Sequence, residues 1–264
     1  MPLSSGLRDA RVLVTAASQG IGYGCAEAFL EEGARVVINS SNAERLNAAV
    51  ERLRARGDVH GIPADLAREG DLDRLVSGAV EHLGGLDTLV YVTGSPHPGV
   101  FLEQGYDDWE RAAALLVVSP AYLARKVADA MIARSTRGRM VFLTSVAIRE
   151  PIPNLATSSV CRIAVSGLVR TLSRELGPKG IRVNGVVPGY IRTSRVEEVT
   201  RDAARRRGVA PEEVLRGLES DIPLGRIGSP EELARAVVFL GSDLSSYVSG
   251  AMLPVDGGYL RSTG

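Results

Sequence analysis

Cysteine is scarce in this 264-residue chain, which carries Cys25 and Cys161 and no other. Two thiols exclude a disulfide framework and a cysteine-rich zinc site, and both are expected as buried or half-buried apolar groups. Histidine is scarce too: His60, His82 and His97 lack metal-ligand spacing, are assigned to the surface or to loops, and no metal is expected. An excess of one charge is missing, because 31 basic and 31 acidic side chains cancel. No basic surplus therefore points to nucleic acid or to an anionic membrane. No apolar run approaches the ~20 residues of a spanning helix, and Met1 to Arg11 lacks the apolar core of a secretory signal. A cytoplasmic protein with neither nucleic-acid nor membrane partners is expected. What is present is 45% apolar and 23% charged residues, a globular composition that excludes wholesale disorder.

Short apolar runs alternate with longer amphipathic ones. Arg11 to Thr15, Ala34 to Ile38, Val59 to Ala64 and Asp87 to Val92 are predicted strands; Gly20 to Gly33, Ala43 to Gly57 and Glu69 to Leu83 are predicted helices between them. The rhythm continues with a long helix over Asp107 to Arg134, a strand over Arg139 to Thr144 and a helix over Leu155 to Leu176. A strand over Ile181 to Val187, a polar segment from Thr193 to Asp221, a helix over Pro230 to Leu240 and a last strand over Met252 to Val255 complete it. Continuous apolar strands between helices imply a sheet covered on both faces. Right-handed crossovers then give an α/β, doubly wound, mostly parallel seven-stranded sheet in a single domain, residues 1–264. Ala112 to Val118 is apolar all round, so both of its faces need cover: one from the sheet, the other from a second subunit.

Thr15-Ala16-Ala17-Ser18-Gln19-Gly20-Ile21-Gly22 joins the first strand to the first helix. A helix N-terminus offers unpaired N–H groups and the positive end of a dipole, which suits a pyrophosphate. Gly20 admits a close backbone approach and Gly22 close packing of helix on sheet. A tight turn without a ligand is the alternative.

This turn resembles the Thr-Gly-x-x-x-Gly-x-Gly fingerprint of the short-chain dehydrogenases/reductases, with Ala16 in place of the first glycine. The resemblance continues over roughly residues 8–258 in Asp65-Leu66, in Asp87 to Gly94, in Arg182-Val183-Asn184, in Pro188 to Thr193, in Pro223 to Arg226 and in Asp256-Gly257-Gly258. It implies a Rossmann-type oxidoreductase acting on a small carbonyl or alcohol, assembled as a homotetramer. It also implies dinucleotide contacts at Thr15, Ser18, Gln19, Gly20, Ile21 and Gly22, at Ser40 and Ser41, at Asp65 and Leu66, and at Gly94. Arg162, Pro188, Gly189, Ile191 and Thr193 are implied at the nicotinamide end.

The family's active site is a tetrad of Asn, Ser, Tyr and Lys. Ser145 stands at the serine position. The tyrosine position, thirteen residues on, is Ser158; the lysine position, four further, is Arg162; the asparagine position is Leu116. Spacing of four keeps Ser158 and Arg162 on one helix face. A phenol beside a cation can lose its proton near neutral pH. A serine hydroxyl is a far weaker acid, and guanidinium does not give up its proton. Two readings stay open. In one, the chain is an oxidoreductase with a displaced proton donor, for which Glu150, beside Arg149, is the candidate if burial raises its pKa. In the other, it binds a dinucleotide without redox chemistry, as a sensor, scaffold or non-redox enzyme. A plain interaction protein is a third class.

Asn39-Ser40-Ser41-Asn42 after the second strand carries neither the acid that binds the free ribose hydroxyls of NAD nor a basic group. With no carboxylate to repel a 2′-phosphate, NADP is favoured over NAD. Residues 193–222 correspond to the family's mobile substrate lid. Their arginines (Arg195, Arg201, Arg205, Arg206 and Arg207) are read either as recruiting an anionic substrate or as a solvated helix face.

Overall fold

The computed structural model describes residues 4–262. The apolar runs form seven strands: β1 (Arg11–Val14), β2 (Arg35–Ser40), β3 (Val59–Pro63), β4 (Thr88–Tyr91), β5 (Arg139–Leu143), β6 (Arg182–Pro188) and β7 (Met252–Val255). They pair in the order β3-β2-β1-β4-β5-β6-β7, every pair parallel. The helices are α1 (Gly20–Glu31), α2 (Ala43–Leu53), α3 (Glu69–Leu83), α4 (Tyr106–Ala113), α5 (Ser119–Ala133), α6 (Ala156–Leu176), α7 (Ser194–Arg207), α8 (Pro211–Ser220) and α9 (Pro230–Leu240).

The two-residue period of the strands sorts their side chains into two cores. Val12, Val14, Val36 and Ile38 pack with Phe29 of α1 and Val237 of α9 on one face. Leu13, Val37 and Leu89 pack with Leu75 of α3, Val127 of α5 and Val169 of α6 on the other. Cys25 and Cys161 are both buried free thiols, and burial pushes Cys25 up to about 12. His60 lies on β3 rather than in a loop; it is exposed and stacks on His82 of α3 at 4.1 Å.

Three departures from the sequence pattern have local causes. β2 continues past Ile38 because Asn39 and Ser40 still pair with Ile62 and Pro63 of β3. The polar segment after Thr193 forms two helices; Gly208, at φ +68°, ends α7, and Pro211 starts α8 without needing a backbone N–H. The long helix is broken by one π-helical turn, Ala114–Val118. Pro120, in the first turn of α5, supplies no N–H to the carbonyl four residues back and crowds it, so the turn widens. Of the apolar segment there, Ala112 and Leu116 are buried, but Val117 is 36% and Val118 62% exposed.

At the amino end of the sheet, Asp87 accepts from the Arg11 backbone N–H at 2.8 Å, from its Nε at 2.8 Å and from its Nη2 at 2.6 Å. Desolvation of this half-buried carboxyl pushes its pKa up, but the Arg11 hydrogen bonds and charge outweigh it and the net shift is downward. A carboxylate with a lowered folded-state pKa stabilises above its unfolded pKa of about 4, and that contribution is lost as pH falls below it. Asp87→Asn is therefore expected to cost about 1–3 kcal/mol at pH 7. The gap to wild type should shrink on acidification through pH ~4, as read by denaturant melts across pH.

Candidate functional site

With every strand parallel, all carboxyl ends meet at one edge, and chain order reverses between β1 and β4. That reversal opens a crevice in a doubly wound sheet. A cleft of about 590 Å³ lies there, within the usual range for a small-molecule site.

At its floor the turn from β1 to α1 is anchored from three sides. The Ala16 N–H donates to Asn39 Oδ1 at 2.8 Å, the Ala17 N–H donates to the Asn39 carbonyl at 2.9 Å, and Asn39 Nδ2 donates to the Ala64 carbonyl at 3.0 Å. No side chain caps the N-terminus of α1, and its first turn holds no acid. Ser18, Gln19, Gly20, Ile21 and Gly22 line the cleft. Thr15 does not. It is fully buried, donates to the Val92 carbonyl at 2.5 Å and accepts from the Val92 N–H at 2.8 Å, so its side chain ties β1 to β4 instead.

Ser40, Ser41, Asp65, Leu66 and Gly94 line the same cleft, as do Pro188, Gly189, Ile191 and Thr193. One Asp65 carboxylate oxygen accepts from the Ala67 N–H at 3.0 Å, and the Asp65 N–H donates to Asp71, which fixes the loop after β3. That backbone bond leads the causes that lower the pKa of Asp71.

Ser145, Ser158 and Arg162 line the cleft as well. Ser145 follows β5, and its Oγ accepts from the Ala147 N–H at 3.2 Å. Ser158 and Arg162 lie one turn apart near the start of α6, 6% and 7% exposed. Arg162 Nε donates to Ser158 Oγ at 3.1 Å and Nη2 to the Gly94 carbonyl at 3.2 Å. Behind them the Tyr91 hydroxyl donates to the Leu115 carbonyl at 3.0 Å and meets Ser119 Oγ at 3.0 Å. Burial pushes this phenol up to about 12, although Ser119 and the Arg162 charge pull the other way. Leu116, 1% exposed, packs with Ala112 and Cys161 and does not line the cleft.

Glu150 is not brought to the cleft. Its carboxylate accepts from the Arg261 N–H at 2.8 Å, outside the cleft lining. The lid arginines also face elsewhere. Arg205 and Arg206 both pair with Asp202, Arg206 lies 3.8 Å from Glu103, and Arg201 bonds back to the Glu197 carbonyl. They form a solvated helix face, with the Arg195 side chain outside the described residues. From the lid, Val196, Glu198, Val199 and Thr200 line the cleft, joined by Leu218 of α8. Tyr190, within the Pro188 to Thr193 stretch, also lines it, but neither these lid residues nor Arg45, which lines it too, stood out in the sequence. They carry no motif, and only the packing of the two-helix segment and of α2 brings them in. Burial, and then Tyr259 beside it, raises the Tyr190 phenol above its ordinary pKa. Among the described residues no group of three His, Cys, Asp or Glu could hold a metal, and no helix is long and apolar enough to cross a membrane.

A family model described as Enoyl-(Acyl carrier protein) reductase matches residues 15–260. 2,5-Dichloro-2,5-cyclohexadiene-1,4-diol dehydrogenase LinX of Sphingobium indicum is 32% identical over 248 residues, 94% of each chain. Human dehydrogenase/reductase SDR family member 4 is 33% identical over 248 residues, 93% of this chain and 86% of its own. The chain belongs to the short-chain dehydrogenase/reductase family. Glucose 1-dehydrogenase of Gluconobacter oxydans, 35% identical over 250 residues, covers 94% of it and 91% of its own length. Among solved structures, L-sorbose reductase from Gluconobacter frateurii, complexed with NADPH and L-sorbose, superposes with a TM-score of 0.93 at 29% identity. That match covers 98% of this short-chain dehydrogenase/reductase and all of the other chain, which also confirms the seven-stranded Rossmann-type sheet.

A dinucleotide fits the residues present. The α1 N-terminus is uncapped by any side chain, and the buried Thr200 hydroxyl at the cleft wall has no hydrogen-bond partner among the described residues. Close packing of the turn on α1 depends on Gly22, where an added Cβ would stand 2.5 Å from the Ala16 carbonyl oxygen and 2.9 Å from Ala17 Cα. Both obstacles are backbone. Gly22→Ala is expected to open the turn at a cost of about 1–3 kcal/mol and to weaken dinucleotide binding by at least about tenfold, read by melting and by calorimetric titration.

Proposed function

We propose that this short-chain dehydrogenase/reductase is an NADP-preferring oxidoreductase for a small carbonyl or alcohol, working without the family's tyrosine and lysine. The observation that carries this is the continuity of one cleft from the uncapped α1 N-terminus to Ser145, Ser158 and Arg162. When bound, the nicotinamide supplies or accepts hydride at the substrate carbon. The chain's part is to manage the substrate oxygen. Ser145 Oγ already accepts from the Ala147 N–H and Ser158 Oγ from Arg162 Nε, so both hydroxyl protons are left to donate into the cleft. Two such donors beside a buried guanidinium stabilise negative charge growing on a carbonyl oxygen. Ser158 passes its proton to that oxygen and is resupplied by water. It is a weak acid, so the rate is expected to fall below that of a phenol site by up to about 10²–10⁴. The NADPH-complexed L-sorbose reductase supports the cofactor preference. α7 and α8 serve as the substrate lid over residues 193–222. A reading as a dinucleotide-binding sensor or scaffold is favoured by one feature, the displacement of Glu150 from the cleft.

We also infer self-assembly, as a homotetramer. Val117 and Val118 of the π-helical turn, and Val160 and Ile163 of α6, which packs on that turn, are exposed at 36%, 62%, 57% and 53%, and β7 is a sheet edge. Light scattering is expected to give four copies at micromolar concentration, and a stable monomer would contradict this.

Carbonyl-reduction assays across a substrate panel, followed at the nicotinamide absorbance band, test the chemistry. Ser145→Ala is expected to lower turnover about tenfold or more through loss of one oxygen donor. Ser158→Tyr with Arg162→Lys is expected to raise it above wild type, because the spacings from Ser145 are kept. The gain should be partial, since Leu116 supplies no amide and a tyrosine overfills the place of Ser158. Turnover that ignores Ser145→Ala would sink the oxygen-binding role.

A further inference from the structure

We infer that the chain has a second small-molecule site, apart from the dinucleotide cleft, for a monocarboxylate with a short apolar body. A cavity of about 360 Å³ lies between the turn after β5, the loop before α4 and the first turns of α6, at the lower end of the range for ligand sites. Its apolar walls are Val100 and Phe101, Ile148 and Ile152, and Val160 and Ile163 of α6. Backbone bonds hold these segments together. Ser145 caps the short helical turn Val146–Ile148 by accepting from the Ala147 N–H at 3.2 Å. Asn154, at φ +62°, a conformation that asparagine tolerates, turns the chain into α6. Its carbonyl accepts from the Gly99 N–H at 2.7 Å, and the Gly99 carbonyl accepts from the Ala156 N–H at 3.3 Å, which keeps Val100 and Phe101 beside α6.

Arg149, Asn154 and Ser159 interrupt the apolar lining. Ser159 is 6% exposed, and its Oγ is buried with no hydrogen-bond partner among the described residues. A buried hydroxyl left unpaired is costly unless something brings it a partner. Arg149 is half-buried and enters no ion pair among the described residues. The acids close to the cavity in the chain are engaged elsewhere: Glu150 by the Arg261 N–H at 2.8 Å, and Glu103 by Arg206 at 3.8 Å. No Asp or Glu lines the cavity. One cation, one unpaired hydroxyl and an apolar wall match a single negative charge on an apolar body. A carboxylate takes two parallel N–H groups of the guanidinium and accepts the Ser159 proton, whereas a phosphate dianion would meet only one cation. None of the residues assigned to the dinucleotide lines this cavity, and Ile152 is shared with the cleft. Val160 and Ile163 are also among the residues offered for self-assembly, so a second copy is the competing occupant.

Calorimetric titration of octanoate and of octanamide into the full chain, with and without saturating NADPH, tests the assignment. Octanoate should bind once per chain below millimolar concentration, with NADPH present or absent, and more tightly than octanamide. Arg149→Ala should weaken octanoate by about 10- to 100-fold, the range for one charge-assisted hydrogen bond, and leave octanamide nearly unmoved. Ser159→Leu, which fills the cavity, should abolish octanoate binding while NADPH titrates as in wild type. Ser159→Ala, the milder change, should weaken octanoate and leave the fold intact. No octanoate binding at millimolar concentration, as when a second copy already fills the cavity, overturns the site. Binding that NADPH displaces, or that Arg149→Ala and both Ser159 variants leave unchanged, overturns it as well.

Discussion

The carboxyl edge of the sheet is held by one buried amide. Asn39, 1% exposed, uses both side-chain polar atoms and its carbonyl to tie the ends of β1, β2 and β3 to one another. Thr15 does the same between β1 and β4. Because the turn is fixed at both sides, the first N–H groups of α1 face the crevice without any side chain to satisfy them. The inward commitment of Asn39 also keeps the strand end uncharged. A carboxylate there could accept from Ala16 but could not donate to Ala64, so the bond that builds the turn is coupled to the electrostatics of this end of the cleft.

Ser145, Ser158 and Arg162 line the same cleft away from that turn. Arg162 is buried, and its hydrogen bonds include those to Ser158 Oγ and the Gly94 carbonyl. Leu116 packs on Cys161 and Ala112, an apolar cluster outside the cleft lining. The π-helical turn that carries Leu116 is braced from below by the Tyr91 hydroxyl. A cation that keeps its proton and a dry wall behind it suit stabilisation of charge on an oxygen better than a proton relay.

Fold class, strand content and most of the cleft lining were legible in the sequence, because period and glycine placement are local signals. Glu69–Leu83 and Pro230–Leu240 have the predicted ends, and Ser229 with Glu232 closes a capping box at the second. Thr15 was misplaced because a hydroxyl beside a glycine-rich turn looks the same whether it serves a ligand or a neighbouring strand. Glu150 was misplaced because chain proximity to Ser145 carries no direction, and the short helical turn Val146–Ile148 swings it toward Arg261. Arg45 went unnoticed for the converse reason: it reads as an ordinary exposed charge on an amphipathic helix until that helix is docked against β2.

Hydride chemistry at Ser145, Ser158 and Arg162 is the proposal to which the rest of the site is tied. The direct measurement is transfer of deuterium from reduced, nicotinamide-labelled NADPH into the alcohol products of a carbonyl panel, read by mass spectrometry. Label is expected at the carbinol carbon of at least one product, and less of it with Ser145→Ala. Tight NADPH binding with no label in any product would contradict it.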